Sequence, residues 1–280
     1  MRAVDVVFVI VQSWTGPVGK LLVAHSYVTD SSALWRLGMF LIAVLVPVGT
    51  VASYSVCPRV FVGPIHSTET ITATFLAWMF LDEGRQMGMH TVRGMVIFSV
   101  GLVSLTLSYA RHLDTNTVDV VNWGRFVMLT GGMLLAQSCT LWYSVGSGRR
   151  RGPWPWVALA GIMGGYDYVV SADTWLIPAT DLAAVGAATW VEGTLLALFV
   201  CAEGVGAVSV LDWLLGQYPM HVVAPAVQAL ELIINVVADV YVYGRWVQWG
   251  LASYLLAISG VGLMALGIRR LTPRRRCGRP

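Results

Sequence analysis

Nine apolar stretches follow one another along this chain, each close to the roughly 20 residues that carry a helix through hydrocarbon, and the connections between them are too short for any soluble domain. They fall at roughly 3–24, 34–56, 60–81, 91–111, 122–145, 154–172, 184–213, 219–243 and 247–268. With 56% hydrophobic and 12% charged residues over 280 positions, that much apolar surface cannot be hidden inside one soluble core. The expected fold class is all-α, a polytopic membrane helix bundle. The first stretch could imitate a signal peptide, but Asp5 interrupts its start, Lys20 lies in its second half, and no clear small-residue cleavage site follows. It is read as a span.

Basic residues set the expected orientation, because cytoplasmic loops are enriched in Lys and Arg. With the arginine tail placed inside, nine spans put 13 basic residues inside, including Lys20, Arg36, Arg85, Arg93 and Arg149 to Arg151, against 5 outside. One span more or fewer would scatter these clusters over both faces. The expectation is therefore an integral, multi-pass protein of the plasma membrane or an endomembrane, with a cytoplasmic carboxyl terminus. Residues 1–121 form a first half of four spans, 122–268 a second half of five, and 269–280 the tail. Anionic lipid headgroups are a second role for that tail.

The two halves share a pattern: Pro58 and Pro64 recur as Pro219 and Pro225, Gly101 as Gly262, Leu105 as Leu266 and Ala77 as Ala238, all at one offset of 161 residues. The third and eighth spans carry the paired prolines and run in opposite directions. This predicts two inverted-topology repeats, a design of secondary transporters that bind solute near the midplane where the copies meet. Pro64, Pro225, Gly101 and Gly262 are the expected helix-break and repeat positions.

Charged side chains in hydrocarbon cost about 2.5–3.5 kcal/mol each at a helix centre on insertion scales, so those present face protein or water. Here they are mainly acidic: Glu69, Asp167, Glu192, Glu203, Glu231 and Asp239. Such an excess suits a path for a cation or for protons; burial could equally keep the carboxyls protonated. Glu231, Asn235 and Asp239 follow an i, i+4, i+8 rule along one helical stripe, and oxygen ligands suit hard divalent cations; alternatively the stripe hydrogen-bonds a neighbouring helix. Glu69 stands in a polar block, His66 to Thr70 with Thr72, just after Pro64. At the 161 offset it aligns with Leu230, one position out of register with Glu231. Glu192 and Glu203 share a helix face but stand about 16 Å apart in height, too far to share one ion. Asp167 lies in Gly164-Gly165-Tyr166-Asp167-Tyr168, where the glycines permit close packing or an unwound turn. Asp212 is expected to be solvated at a span end, and Lys20, the sole lysine, to snorkel to the inner surface, with pairing to an intramembrane carboxylate as the alternative.

The four cysteines have no metal-type spacing and read as unpaired thiols. The twelve tryptophans gather near span ends, as in an interfacial belt. No phosphate loop, paired metal-binding histidines or nucleophile elbow stands out, so an enzyme is not expected.

The segments Ala52-Ser53-Tyr54, Cys57-Pro58 and Val62-Gly63-Pro64, then Asp82-Glu83, Gly94 and Gly101, with Leu211-Asp212-Trp213, Val222-Val223-Ala224-Pro225 and Val261-Gly262 in the second half, resemble the NIPA-type magnesium transporters of the drug/metabolite transporter superfamily. Gly19-Lys20 and the span number extend the resemblance over most of the chain. The chain departs from it at Gly244-Arg245-Trp246, where an acidic residue is usual, and at His66 and Glu69. The resemblance implies a transporter of divalent cations, magnesium first among them; the excess of intramembrane carboxylates puts Glu69, Glu231 and Asp239 forward as contacts of the transported ion, with Asp167, Glu192, Glu203 and Asn235 along the path. No cofactor is expected, since magnesium enters as substrate; the expected partners are the lipid bilayer and the solute, with no nucleic acid. Two alternatives stand beside it: a drug/metabolite-type carrier of a small organic solute, with Tyr166, Tyr168 and Trp190 near its pocket, and a non-transporting scaffold on a transporter fold.

Overall fold

A computed structural model describes residues 3–56, 68–81, 89–110, 123–147, 152–165, 187–242 and 250–271. The described residues are almost entirely helical, with no strand among them. In chain order the helices are α1 (Ala3–Thr29), α2 (Ser32–Phe40), α3 (Val46–Val56), α4 (Glu69–Phe80), α5 (Met89–Ala110), α6 (Trp123–Ser147), α7 (Trp154–Gly164), α8 (Ala187–Gln217), α9 (Met220–Val242) and α10 (Leu251–Leu271). A π-helical turn, Leu41–Leu45, joins α2 to α3. Among the described residues, seven segments are long and apolar enough to cross a membrane, Val4–Thr29 and Leu251–Leu271 being the first and last. Large apolar side chains such as Met128, Trp142, Leu251 and Ile258 are left exposed, as lipid-facing positions must be. This is the architecture of a multi-pass integral membrane protein.

Local chemistry explains the irregular turns. Pro47 has no N–H, so the carbonyl four residues before it loses its helical donor, and the chain widens here into the π turn, with the Val46 N–H bonded to Leu41 O. Gln12 on α1 supports the join by donating to Leu45 O at 3.0 Å and Val46 O at 3.2 Å. Gly49 makes that possible, because a Cβ there would collide with the Gln12 carboxamide. At the other end of α1, Tyr27 Oη and Trp35 Nε1 both donate to Asp212 Oδ1 at 2.9 Å, tying α1 and α2 to α8. Asp212 is thus a three-helix bridge rather than a merely solvated end. Asp212→Ala should lower stability by about 1 kcal/mol, the net worth of an ordinary hydrogen bond, read as a fall in the thermal midpoint of the purified protein.

The longest helix contact is between α5 and α10, which run antiparallel. Two glycines seven residues apart on each helix create it. Gly94 faces Gly267 and Gly101 faces Gly260, with a Cβ on Gly101 only 2.7 Å from Gly260 O and from Met264 N. Phe98, Leu102, Leu105 and Met264 fill the seam around them. Small residues of this kind let membrane helices approach until backbones touch. Gly262, the sequence partner of Gly101 at the 161 offset, has nothing near its Cβ position. Gly94 and Gly260, and Gly101 and Gly267, are each 166 residues apart.

A second core joins Val23 and Ala24 of α1, Ala73 and Ala77 of α4, Val157 and Ala160 of α7, Leu211 and Leu214 of α8, and Val223, Ala224 and Val227 of α9. It gathers at one end of the bundle, where α1, α4 and α8 finish and α7 and α9 begin. Arg36 lies near the start of α2 there, and Arg270 lies against Gly94, next to Arg93, at the same end of the α5–α10 seam. A smaller core at the opposite end holds Phe126, Met133, Ala238 and Val242.

Candidate functional site

Lys20 lies inside the bundle, not at its surface. Its Nζ donates to Glu69 Oε1 at 2.8 Å and to Gln228 Oε1 at 2.9 Å, while Gln228 Nε2 donates to Glu69 Oε2 at 3.2 Å. The three side chains, from α1, α4 and α9, close a ring of hydrogen bonds. The Lys20 and Glu69 side chains retain only 9% and 7% of their exposure, so this is a buried ion pair with an amide bridging both of its members. The expectation that Lys20 snorkels is therefore corrected. Its reason is helix length: α1 runs to Thr29, placing Lys20 about nine residues, or ~13 Å, from the helix end, beyond the reach of a lysine side chain.

Each helix contributes its residue for a local reason. Pro17 lies within α1 one turn before Lys20, and Gly16 supplies the space in which the Glu69 carboxylate rests, since a Cβ on Gly16 would collide with Glu69 Oε1. Glu69 opens the described part of α4. Gln228 is one turn beyond Pro225, through which α9 continues as helix. Apolar side chains then seal the ring from the arginine-bearing end: Val23 and Ala24 follow Lys20, Ala73 and Ala77 follow Glu69, and Val223 to Val227 precede Gln228.

Glu231 stands one turn further along α9, close enough to act electrostatically on Lys20. Its carboxylate rests on Gly164 of α7 as that of Glu69 rests on Gly16 of α1. The two carboxylates, 162 residues apart, are thus seated alike, each in the space left by a glycine of a neighbouring helix. Asn235, on the same stripe, has a buried Oδ1 without a hydrogen-bond partner, as do the buried hydroxyls of Thr70 and Ser53. Glu203 is elsewhere engaged: Gln137 Nε2 of α6 donates to its Oε2 at 2.8 Å. Asp167 and Pro64, and the side chains of Glu192 and Asp239, lie outside the described residues. Among the described residues no group of three or more His, Cys, Asp or Glu side chains is arranged to hold a metal ion.

Sequence reasoning missed Gln228, Gln137 and Gly16, and it marks Gly164 only as a place for close packing or an unwound turn. Gln228 carried a usable signal, because it precedes Glu231 by three residues and so extends the same polar stripe. Gly164→Ala is expected to force the Glu231 carboxylate from its seat at a cost of about 1–3 kcal/mol, the usual range for overpacking, measured as reduced thermal stability beside Gly131→Ala, where open space surrounds the glycine. No protein-family model, curated protein or solved structure matches this chain.

Proposed function

We propose that the protein is a membrane carrier, moving a small polar solute by rocking two inverted halves against each other, with the Lys20–Glu69–Gln228 ring at its solute site. The observation that carries this reading is the ring itself. Burying an ion pair brings little stability, because desolvation offsets the attraction, and ionisable groups inside membrane helices mark solute paths and relays. Three helices of a membrane bundle converge on such a group where packing alone would call for apolar side chains.

The inverted-repeat reading is supported by several correspondences. α1 packs on α2 and α4 as α7 packs on α8 and α9; α4 meets α9, and α5 meets α10. The glycine–carboxylate pairs Gly16–Glu69 and Gly164–Glu231 correspond in the same way, as do the glycines seven apart on α5 and α10. The offset is 162 for the carboxylates on α4 and α9 and 166 for the glycines on α5 and α10, while eight residues separate α4 from α5 and eight separate α9 from α10. Burial along α9 supports rocking: residues 220–227 are buried, whereas 230–236 are only half-buried. The end bearing Arg36, Arg93 and Arg270 is closed by apolar packing, and by the bias of basic residues that end is cytoplasmic.

Of the two kinds of cargo, an organic solute fits the ring better than magnesium. An ammonium 2.8 Å from Glu69 Oε1 would repel a divalent cation seated on that carboxylate. The magnesium reading keeps one observation in its favour, the stripe of Glu231 and Asn235 with its unpartnered oxygen. Proteoliposomes containing the purified protein decide between them. Uptake of glycine, alanine, ethylammonium or propionate without magnesium uptake is the expected result; magnesium uptake alone would assign the cargo to the α9 stripe.

A further inference from the structure

The charge balance of the ring narrows the solute. Lys20 and Glu69 cancel, and Gln228 is neutral, so the three side chains together carry no net charge; Glu231, whose charge also acts on Lys20, stands outside the ring, half-buried against Gly164. A ligand that docks among them and leaves no buried excess charge must also be neutral overall, since an uncompensated ion in this setting is costly. A neutral ligand without charges would gain little from opening the pair, because it could match neither the ammonium nor the carboxylate with a charge-assisted hydrogen bond. A molecule bearing both charges can match both.

The ring also has hydrogen-bonding capacity to spare. Lys20 spends two of its three N–H donors, on Glu69 and Gln228, and each Glu69 oxygen accepts one bond although it can accept two. Gln228 gives its carbonyl to the ammonium and its amide N–H to the carboxylate, so a single side chain recognises both charge types at once. It could do the same for a ligand's carboxylate and ammonium.

Resting on the carrier reading above, we propose that the solute is a small zwitterion, with a carboxylate and an ammonium on one molecule, that opens the internal ion pair and replaces it. The ligand carboxylate takes the place of Glu69 at Lys20, the ligand ammonium takes the place of Lys20 at Glu69, and Gln228 turns its carboxamide to bridge the new pairs. The replacement is an exchange of hydrogen bonds; no covalent bond forms or breaks. Because the ring neutralises itself when empty, the empty carrier buries no more net charge than the loaded one. Both forms can then reorient, which gives net movement down a gradient with no need for a second solute on the return.

The test is equilibrium binding and flux with the full-length purified protein. The zwitterionic probes are glycine, alanine and γ-aminobutyrate; ethylammonium carries the positive group alone, propionate the negative group alone, and magnesium chloride supplies the divalent cation. At least one zwitterion should bind at least tenfold more tightly than either single-charge probe, and this binding should vanish in Lys20→Met/Glu69→Gln, whose neutral pair preserves the packing. Proteoliposomes loaded with that zwitterion should also empty into buffer lacking it. Ethylammonium or magnesium binding more tightly than every zwitterion, with flux lost in the double variant, would overturn the zwitterion and leave the carrier standing. Flux of no probe at all would remove both. Zwitterion binding undiminished in the double variant would overturn the assignment of the ring, and efflux only in the presence of an external solute would overturn the self-neutralising cycle.

Discussion

Lys20→Met is expected to destabilise the protein by about 3–5 kcal/mol, the usual cost of leaving one member of a buried ion pair without its partner. Glu69 would retain only the 3.2 Å bond from Gln228 Nε2 in a site walled by Val23, Ala73, Ala77 and Val227. Lys20→Met/Glu69→Gln removes both charges and keeps both shapes, so most of that loss should return. Thermal unfolding in detergent of the parent, the two single variants and the double variant reads this as a coupling between the positions. A double variant no more stable than Lys20→Met would show that the pair does not act as a unit.

Gly101→Leu should be as damaging for a different reason. Even the first carbon of the new side chain would lie 2.7 Å from Gly260 O and Met264 N, and both are backbone atoms that cannot turn aside. α5 and α10 would have to separate along their whole seam, giving up the packing of Phe98, Leu105 and Met264. The expected loss is about 3 kcal/mol, at the upper end of the range for overpacked cores. Gly260→Leu should match it, while Gly262→Leu should stay within about 0.5 kcal/mol, as exposed substitutions do. Equal loss at Gly262 and Gly260 would contradict the seam described here.

The helices were legible in the sequence because the pattern that marks them is coarse. Windows of about 20 apolar residues locate a span without needing to know what it packs against, and α5, α9 and α10 lie within a few residues of the expected 91–111, 219–243 and 247–268. Their ends were less legible. α1 continues five residues past the expected 24, through Ser26 and Thr29, whose hydroxyls are absorbed by the carbonyls of Val23 and His25 within the helix itself. That small error moved Lys20 from the interior to the rim and favoured snorkelling over pairing with a carboxylate.

Glu69 and Glu231 could be picked out because an acidic side chain in hydrocarbon is anomalous by itself. Gln228 was harder to pick out: its place three residues before Glu231 sets it on the same stripe, but a glutamine in a helix does not name its partners. Gly16 was illegible for a related reason, and Gly164 legible only as a place for close packing: a glycine's function here is the space it leaves, and only the approach of a carboxylate shows what that space is for. The prolines suggest a repeat in the sequence, but a single offset of 161 relates neither Glu69 to Glu231, which are 162 residues apart, nor Gly94 to Gly260, which are 166 apart.

Paired uptake by proteoliposomes containing either the parent protein or Lys20→Met/Glu69→Gln, over glycine, alanine, γ-aminobutyrate, ethylammonium, propionate and magnesium, tests the central claim most directly. The account predicts that the parent accumulates at least one of these solutes and that the variant, folded and inserted to the same extent, falls to the level of empty liposomes. Equal uptake by the two proteins would contradict the claim that Lys20, Glu69 and Gln228 form the solute site, and no uptake of any solute by the parent would contradict the carrier itself.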